Sequence, residues 1–224
     1  MRALRKALRY LIFVCLGLLL GLAALIGVWR YVPPVSTLMA ARWATFRGVE
    51  RTYIPLIRIS PLLIAAVITS EDALFCRHHG VDWGALNEVI SEADEDGPAR
   101  GASTIPMQTA KNLFLWPQRS AIRKGLEIPL ALVLDRAWGK RRVLEVYLNI
   151  AEWGDGLFGV EAAARRYFRK SAADLSQREA SLLATALPNP IARDPSRPKR
   201  GQAVLAAINA GRVAKAGGYL GCVR

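Results

Sequence analysis

The 224-residue sequence carries 31 Lys or Arg against 18 Asp or Glu, a net charge of +13, yet 52% of its residues are hydrophobic. A pI near 10.3 and a mean hydropathy of +0.19 exclude a disordered basic tail, which is poor in apolar residues, and one domain of about 150–200 residues uses up the length. What remains is a cationic and apolar chain suited to a membrane or an anionic ligand, with nucleic acid as the competing reading.

Arg2, Arg5, Lys6 and Arg9 form a basic tail (residues 1–9) before an uncharged run from Tyr10 to Trp29. About twenty helical residues at roughly 1.5 Å each span about 30 Å, the hydrocarbon thickness of a bilayer. Tyr10 and Trp29 stand at its ends, where aromatic rings favour the interface. The basic residues before the run, against Arg30 just after it, predict a cytoplasmic N-terminus. A cleaved signal peptide is the alternative, but it usually has an apolar core of about 7–15 residues and a small-residue cleavage site. An uncleaved anchor over 10–29 is therefore expected, with residues 31–224 outside the cytoplasm and no nucleic-acid partner. Without residues 1–30 the chain keeps 26 basic and 18 acidic residues, a net charge of +8.

Residues 30–59 read as a juxtamembrane connector, interrupted by Pro33-Pro34 and Pro55. Ser60-Pro61 is an N-cap and first-turn pair opening a helix through Phe75 that ends near Gly80. Glu71 and Asp72 lie late in that helix, after almost wholly apolar turns. A carboxylate held against apolar surface has its pKa raised and becomes a usable base or acid; a solvated helix face is the bland alternative. His78 can orient a carboxylate or simply cap the helix. Cys76, His78 and His79 hint at metal, but no second ligand cluster follows, which argues against structural zinc. Cys15 lies in the anchor, and Cys76 and Cys222 are expected as free thiols, although an oxidising compartment would permit a disulfide.

An acidic loop over 88–97 follows, then a helix from Ser103 through Lys111 with Pro106 in its first turn. Gly101, Ser103 and Thr104 at its start offer N–H groups and hydroxyls to an anion, and Thr104, Gln108 and Lys111 share a face. Leu113-Phe114-Leu115-Trp116-Pro117 is too apolar for a simple exposed loop, and either dips into the membrane interface or belongs to the core. Arg119, Arg123 and Glu127 recur every four residues, which suits either a doubly phosphorylated ligand or a surface ion-pair ladder. Further helices are expected over 120–138 with a kink at Pro129, over 140–150, over 160–168, from the capping box at Ser176–Glu179 to Pro188, and over 200–215. The fold class is mostly α.

Several motifs coincide in order: Glu71-Asp72-x-x-Phe75-x-x-His78-x-Gly80, Gly101-Ala102-Ser103-Thr104-Ile105-x-x-Gln108-x-x-Lys111-Asn112 and Arg123-Lys124-x-x-Glu127. Lys140-x-x-Val143-Leu144-Glu145-x-Tyr147-Leu148-Asn149 and Gly156-x-x-Gly159-Val160-x-x-Ala163-Ala164-x-x-Tyr167-Phe168 follow. From Ser60 to about Pro195 the chain closely resembles the peptidoglycan glycosyltransferases of glycosyltransferase family 51, of the monofunctional biosynthetic type. Met107 stands where many members have a second Gln, and Pro129 falls just after the third motif.

The resemblance implies a lysozyme-like α fold, a glycosyltransferase domain over 60–224, and polymerisation of lipid II. Glu71 would be the general base. Asp72, Phe75 and His78 would shape the site, and Ser103, Thr104, Gln108, Lys111 and Asn112 would bind substrate. Lys111, Arg119 and Arg123 would stabilise charge on the departing pyrophosphate. Glu127, the second acidic residue, would orient the cations or bind a divalent ion such as Mg or Mn, with proton donation as the lesser role. The motifs around Glu145 and Tyr167 would hold the fold. The implied setting is the bacterial cytoplasmic (inner) membrane, with lipid II and lipid-linked glycan as ligands and transpeptidases or division proteins as candidate partners. Two alternatives stay open: a membrane-anchored lytic enzyme that cleaves glycan with a helix-borne Glu, and a non-catalytic module that binds anionic polymer.

Overall fold

The computed structural model describes residues 2–91, 102–118, 120–215 and 220–223. It divides into two units, Met1–Pro33 and Pro34–Arg224. In the first, α1 (Arg2–Trp29) is continuous, and Leu4–Trp29, with a mean hydropathy of 2.9, is long and apolar enough to cross a membrane. Leu11, Phe13, Leu18 and Leu19 are exposed along it, as a lipid-facing helix requires.

The second unit runs α2 (Thr37–Ala44), β1 (Glu50–Arg51), a 3-10 turn (Leu56–Arg58), α3 (Pro61–Glu71), α4 (Trp83–Ser91), α5 (Ile105–Phe114) and α6 (Ala121–Ile150). It continues with β2 (Glu152–Gly154), β3 (Leu157–Phe158), α7 (Val160–Phe168), α8 (Gln177–Ala186) and α9 (Arg200–Lys215). The mostly α architecture matches the sequence reading. The stretch 34–59, expected as a connector, belongs to this unit. Within it β1 pairs in parallel with β3, which pairs antiparallel with β2. Strands of two or three residues are too short to show alternation in the sequence. Asn149 on α6 donates to Ile54 O at 2.9 Å and accepts from Ile54 N at 2.9 Å, while Glu145 accepts from Tyr53 Oη at 2.9 Å and Leu56 N at 2.8 Å. Those bonds fasten residues 53–56 to α6, as expected for a motif that holds the fold.

Helix α3 is apolar on nearly every side, and such a helix must be buried. Leu63, Ala66, Val67 and Ile68 are fully enclosed, and α3 packs against α8 and α9. Each buried Leu, Val or Ile contributes about 1.5–3 kcal/mol. Asn209 of α9 adds donations to Ala66 O at 3.0 Å and Thr69 Oγ1 at 3.1 Å, so α9 is tied to the last turns of α3. The helix ends at Glu71 rather than Phe75, because Asp72 leaves helical geometry (φ −160°, ψ 73°) to serve as its C-cap.

Helix α6 corrects another expectation. The kink expected at Pro129 does not interrupt the helix, since Pro129 keeps helical dihedrals on the exposed side, and the break falls at Gly139 (φ 73°, ψ 167°), between the two helices expected over 120–138 and 140–150. That combination of angles is essentially confined to glycine, so the residue decides where the two segments meet. Their limits, about 121–138 and 140–150, are the two helices anticipated.

The expectation of free thiols is overturned: Cys76 and Cys222 form a disulfide with Cα atoms 5.5 Å apart. Nothing in the spacing could bring residues 146 positions apart together; α3 and α9 do so by packing. Loop-closure entropy for that separation amounts to about 5 kcal/mol, and disulfides typically contribute about 2–4 kcal/mol. Reduction, or Cys222→Ser in the full chain, is expected to lower Tm by roughly 5–15 °C, read by thermal unfolding in detergent.

Candidate active site

The loop after α3 is organised by one buried carboxylate. Asp72 Oδ2 accepts from the Ile105 backbone N–H at 2.9 Å, and His78 Nε2 donates to Asp72 at 2.9 and 3.0 Å. Phe75 is fully buried, edge-on to His78 at 6.3 Å and beneath the Lys140 ammonium at 4.7 Å. Gly80 takes φ 85°, and a Cβ there would lie 2.7 Å from Ala131 O. Its carbonyl accepts from Thr104 Oγ1 at 2.6 Å, while Thr104 caps α5 by accepting from Met107 N at 3.3 Å. Asp72, Phe75, His78 and Thr104 thus join the end of α3 to the start of α5 and are all turned into the protein. Met107 packs on Val81 and Ala131, so the departure from the family's Gln faces the core.

That junction fixes Glu71 beside α5. Gln108 Nε2 donates to Glu71 Oε2 at 3.1 Å, and Tyr147 Oη donates to Gln108 Oε1 at 3.0 Å. Ser70 Oγ stands 3.4 Å from Glu71 Oε1. Burial raises the Glu71 pKa, against the opposing hydrogen bonds of Gln108 and Ser70 and the charge of Lys111. Burial also holds the Tyr147 phenol well above its usual pKa, helped by Glu71 and Asp72, so it keeps the proton it donates. Burial lowers the Lys111 pKa; Glu127 and Glu71 oppose this, while Arg123 and Lys124 push the same way. Among the described residues the Lys111 ammonium has no hydrogen-bond partner, and an anionic ligand would favour its charged form.

Glu127 is almost completely buried at 1% exposure. Arg123 Nη1 donates to one of its oxygens and Lys124 Nζ to the other at 3.1 Å, while Lys124 also reaches Ser103 Oγ. Arg123 is itself buried and donates through Nε to Gln118 O at 2.8 Å. Arg123 and Glu127 therefore form neither a surface ladder nor an open guanidinium cradle. It is a buried carboxylate that orients two cations. A divalent ion does not fit at Glu127, since both carboxylate oxygens already accept from cations. Nor do three or more His, Cys, Asp or Glu side chains gather among the described residues.

A cleft of about 230 Å³ opens alongside. Helix α5 contributes Gln108, Lys111 and Asn112 to its wall, and the end of α6 with β2 contributes Tyr147, Ala151 and Glu152. Of the apolar run over 113–117, Leu113 is core, whereas Leu115, Trp116 and Pro117 line the cleft. Arg119, Gly101 and residues 92–97 of the expected acidic loop lie outside the described residues. Cys76 is taken by the disulfide and His78 by Asp72, so the Cys-His grouping is used for structure. Sequence reasoning missed Lys124, and it assigned Tyr147 to the fold alone. The adjacency of Lys124 to Arg123 was a signal, but nothing in the chain pairs Tyr147 with Gln108.

Comparison with known proteins gives one consistent result. The family model described as transglycosylase matches residues 39–210. A biosynthetic peptidoglycan transglycosylase of Agrobacterium fabrum is 51% identical over 221 residues, covering 98% of both chains. One of Rhizobium meliloti is 48% identical, covering 99% of this chain and 95% of the relative, and one of Rhodospirillum centenum is 53% identical, covering 88% and 87%.

The donation from Gln108 stabilises the ionised form of Glu71, so removing it raises the pKa further. Gln108→Leu is expected to move the Glu71 titration upward, followed by carboxyl-carbon NMR. An unchanged midpoint would separate the two side chains functionally.

Proposed function

The chain belongs to the transglycosylase family, and on that premise we propose that it polymerises peptidoglycan glycan strands from lipid II. Glu71 takes the proton from the 4-hydroxyl of the acceptor GlcNAc. The freed oxygen attacks C1 of the MurNAc at the lipid-linked end of the growing chain, inverting the α-linkage to β-1,4. The C1–O bond to phosphate breaks, and undecaprenyl pyrophosphate leaves with the electron pair.

The observation that carries this assignment is the half-buried Glu71 carboxylate, linked through Gln108 to the cleft that holds Lys111. A raised pKa brings Glu71 toward neutrality, where a general base is most effective. The half-buried Lys111 ammonium suits charge developing on the pyrophosphate, since electrostatic stabilisation is strongest where water is excluded. Arg119 is assigned to the same charge by its place in the sequence. Glu127 acts through Arg123 and Lys124, holding the positive field in place. A pyrophosphate ester leaves readily as an anion, so no strong proton donor is required. Cleavage of neutral glycan would give Lys111 no work, which sets the lytic alternative aside. Helix α1 is the anchor, assigned to the bacterial cytoplasmic membrane with its basic end in the cytoplasm and Pro34–Arg224 outside.

Incubation of the full chain in detergent with lipid II, and separately with finished glycan, tests the proposal. Polymer from lipid II is expected; shortened glycan with untouched lipid II would refute it. Glu71→Gln should reduce polymerisation by about 10²–10⁴-fold. Since the ionised carboxylate is the active form, the rate should fall as pH drops through a value above the ordinary glutamate range. Lys111→Ala should cost roughly 10²–10³-fold, as for loss of one charge-stabilising donor, while Lys199→Ala, on the exposed surface, should match the wild type.

A further inference from the structure

The cleft contains a carboxylate to which the reaction above gives no task. Glu152 opens β2, directly after the C-cap of α6, and lines the same cleft as Gln108, Lys111 and Tyr147. Its Oε1 accepts from the Gly156 N–H at 3.0 Å and lies 3.7 Å from Arg42 Nη1. Arg42 is in turn committed elsewhere, donating to Gly48 O at 2.9 Å and to Asp155 at 2.7 Å. One oxygen of Glu152 is therefore held in place, and among the described residues Oε2 has no hydrogen-bond partner. With the side chain only 18% exposed, that oxygen is a fixed acceptor at the cleft wall.

We propose that Glu152 binds substrate by accepting a hydrogen bond from a neutral sugar group, a hydroxyl or an acetamido N–H, of the lipid-linked glycan. The inference rests on the polymerase assignment and deepens it. A carboxylate repels pyrophosphate, so it serves the uncharged part of a ligand whose anionic part is drawn to Lys111. Arg42 already offsets much of the charge, which leaves an acceptor rather than a strong cation site. Burial raises the Glu152 pKa, against the Gly156 hydrogen bond and Arg42, and a desolvated acceptor gains from a new donor.

Glu152→Gln separates binding from structure. The amide oxygen can keep the Gly156 N–H while the NH₂ presents donors where an acceptor stood. The expected result is an unchanged Tm, a KM for lipid II raised about tenfold, and a kcat within about twofold, the pattern for lost uniform binding. An unchanged KM, or a lower kcat at unchanged KM, overturns the assignment. If the variant does not fold, carbodiimide labelling of the wild-type chain gives the answer. Lipid II should protect Glu152, and equal labelling with and without it counts against the proposal. The KM penalty should persist with lipid II acetylated on its stem-peptide amine; its disappearance would make the partner an ammonium and overturn the neutral-group assignment. A wild-type chain that makes no polymer refutes the polymerase assignment itself, whereas normal polymerisation by Glu152→Gln refutes only this inference.

Discussion

The contact between Asp72 and the Ile105 N–H is the constraint on which the site depends. Helix α5 begins with free N–H groups that need acceptors, and α3 ends with a side chain able to supply one. Satisfying that need with Asp72 brings the end of one helix against the start of the other. Glu71, one residue earlier, is then carried to Gln108. His78 and Phe75 close the turn beneath it, and Thr104 and Gly80 tie it to α5 a second time. Loss of the Asp72 carboxylate would leave a buried donor unpaired, at a cost of about 1–3 kcal/mol, and would release Glu71 from Gln108.

The half-buried Glu71 and the buried Glu127 have different uses because their neighbours differ. Glu71 has neutral hydrogen-bond donors and a lysine that acts through space, so desolvation dominates and its proton affinity rises. Glu127 has two cations in direct contact, so it orients charge. The division follows from local packing rather than residue type: α3 presents its carboxylate to an amide, while one turn of α6 presents its own to Arg123 and Lys124.

Much of this was legible in the sequence. The apolar helix, the motif order, the caps at Ser60 and Ser176, and the boundary near residue 139 all arise from neighbours within a turn or two. Burial is different, because it depends on what the rest of the chain places against a residue. From spacing alone Asp72 could be solvated, and Arg123 and Glu127 could form a surface pair. Only packing decides both. The short helix α2 and the strands β1–β3 were missed because they are brief and are held by distant partners, as Thr37 is by Asn112 O and Leu115 O and Arg51 by Asn149 O. Glu152 carried no local signal at all; its meaning comes from a cleft whose walls are drawn from α2, α5, α6 and the loop after α8.

The bond between Cys76 and Cys222 also changes the topology of the domain. The backbone from the turn after α3 to the segment beyond α9 becomes a closed covalent ring containing α5, α6 and the cleft residues Gln108, Lys111, Tyr147 and Glu152. A single backbone cut within that ring cannot separate the pieces, since each remains joined through the sulfur bridge. From Cys76 onward, Glu71 stays tethered to Lys111, Arg123 and Lys124 by two covalent routes, so the site has a redundancy against proteolysis that no noncovalent contact could supply.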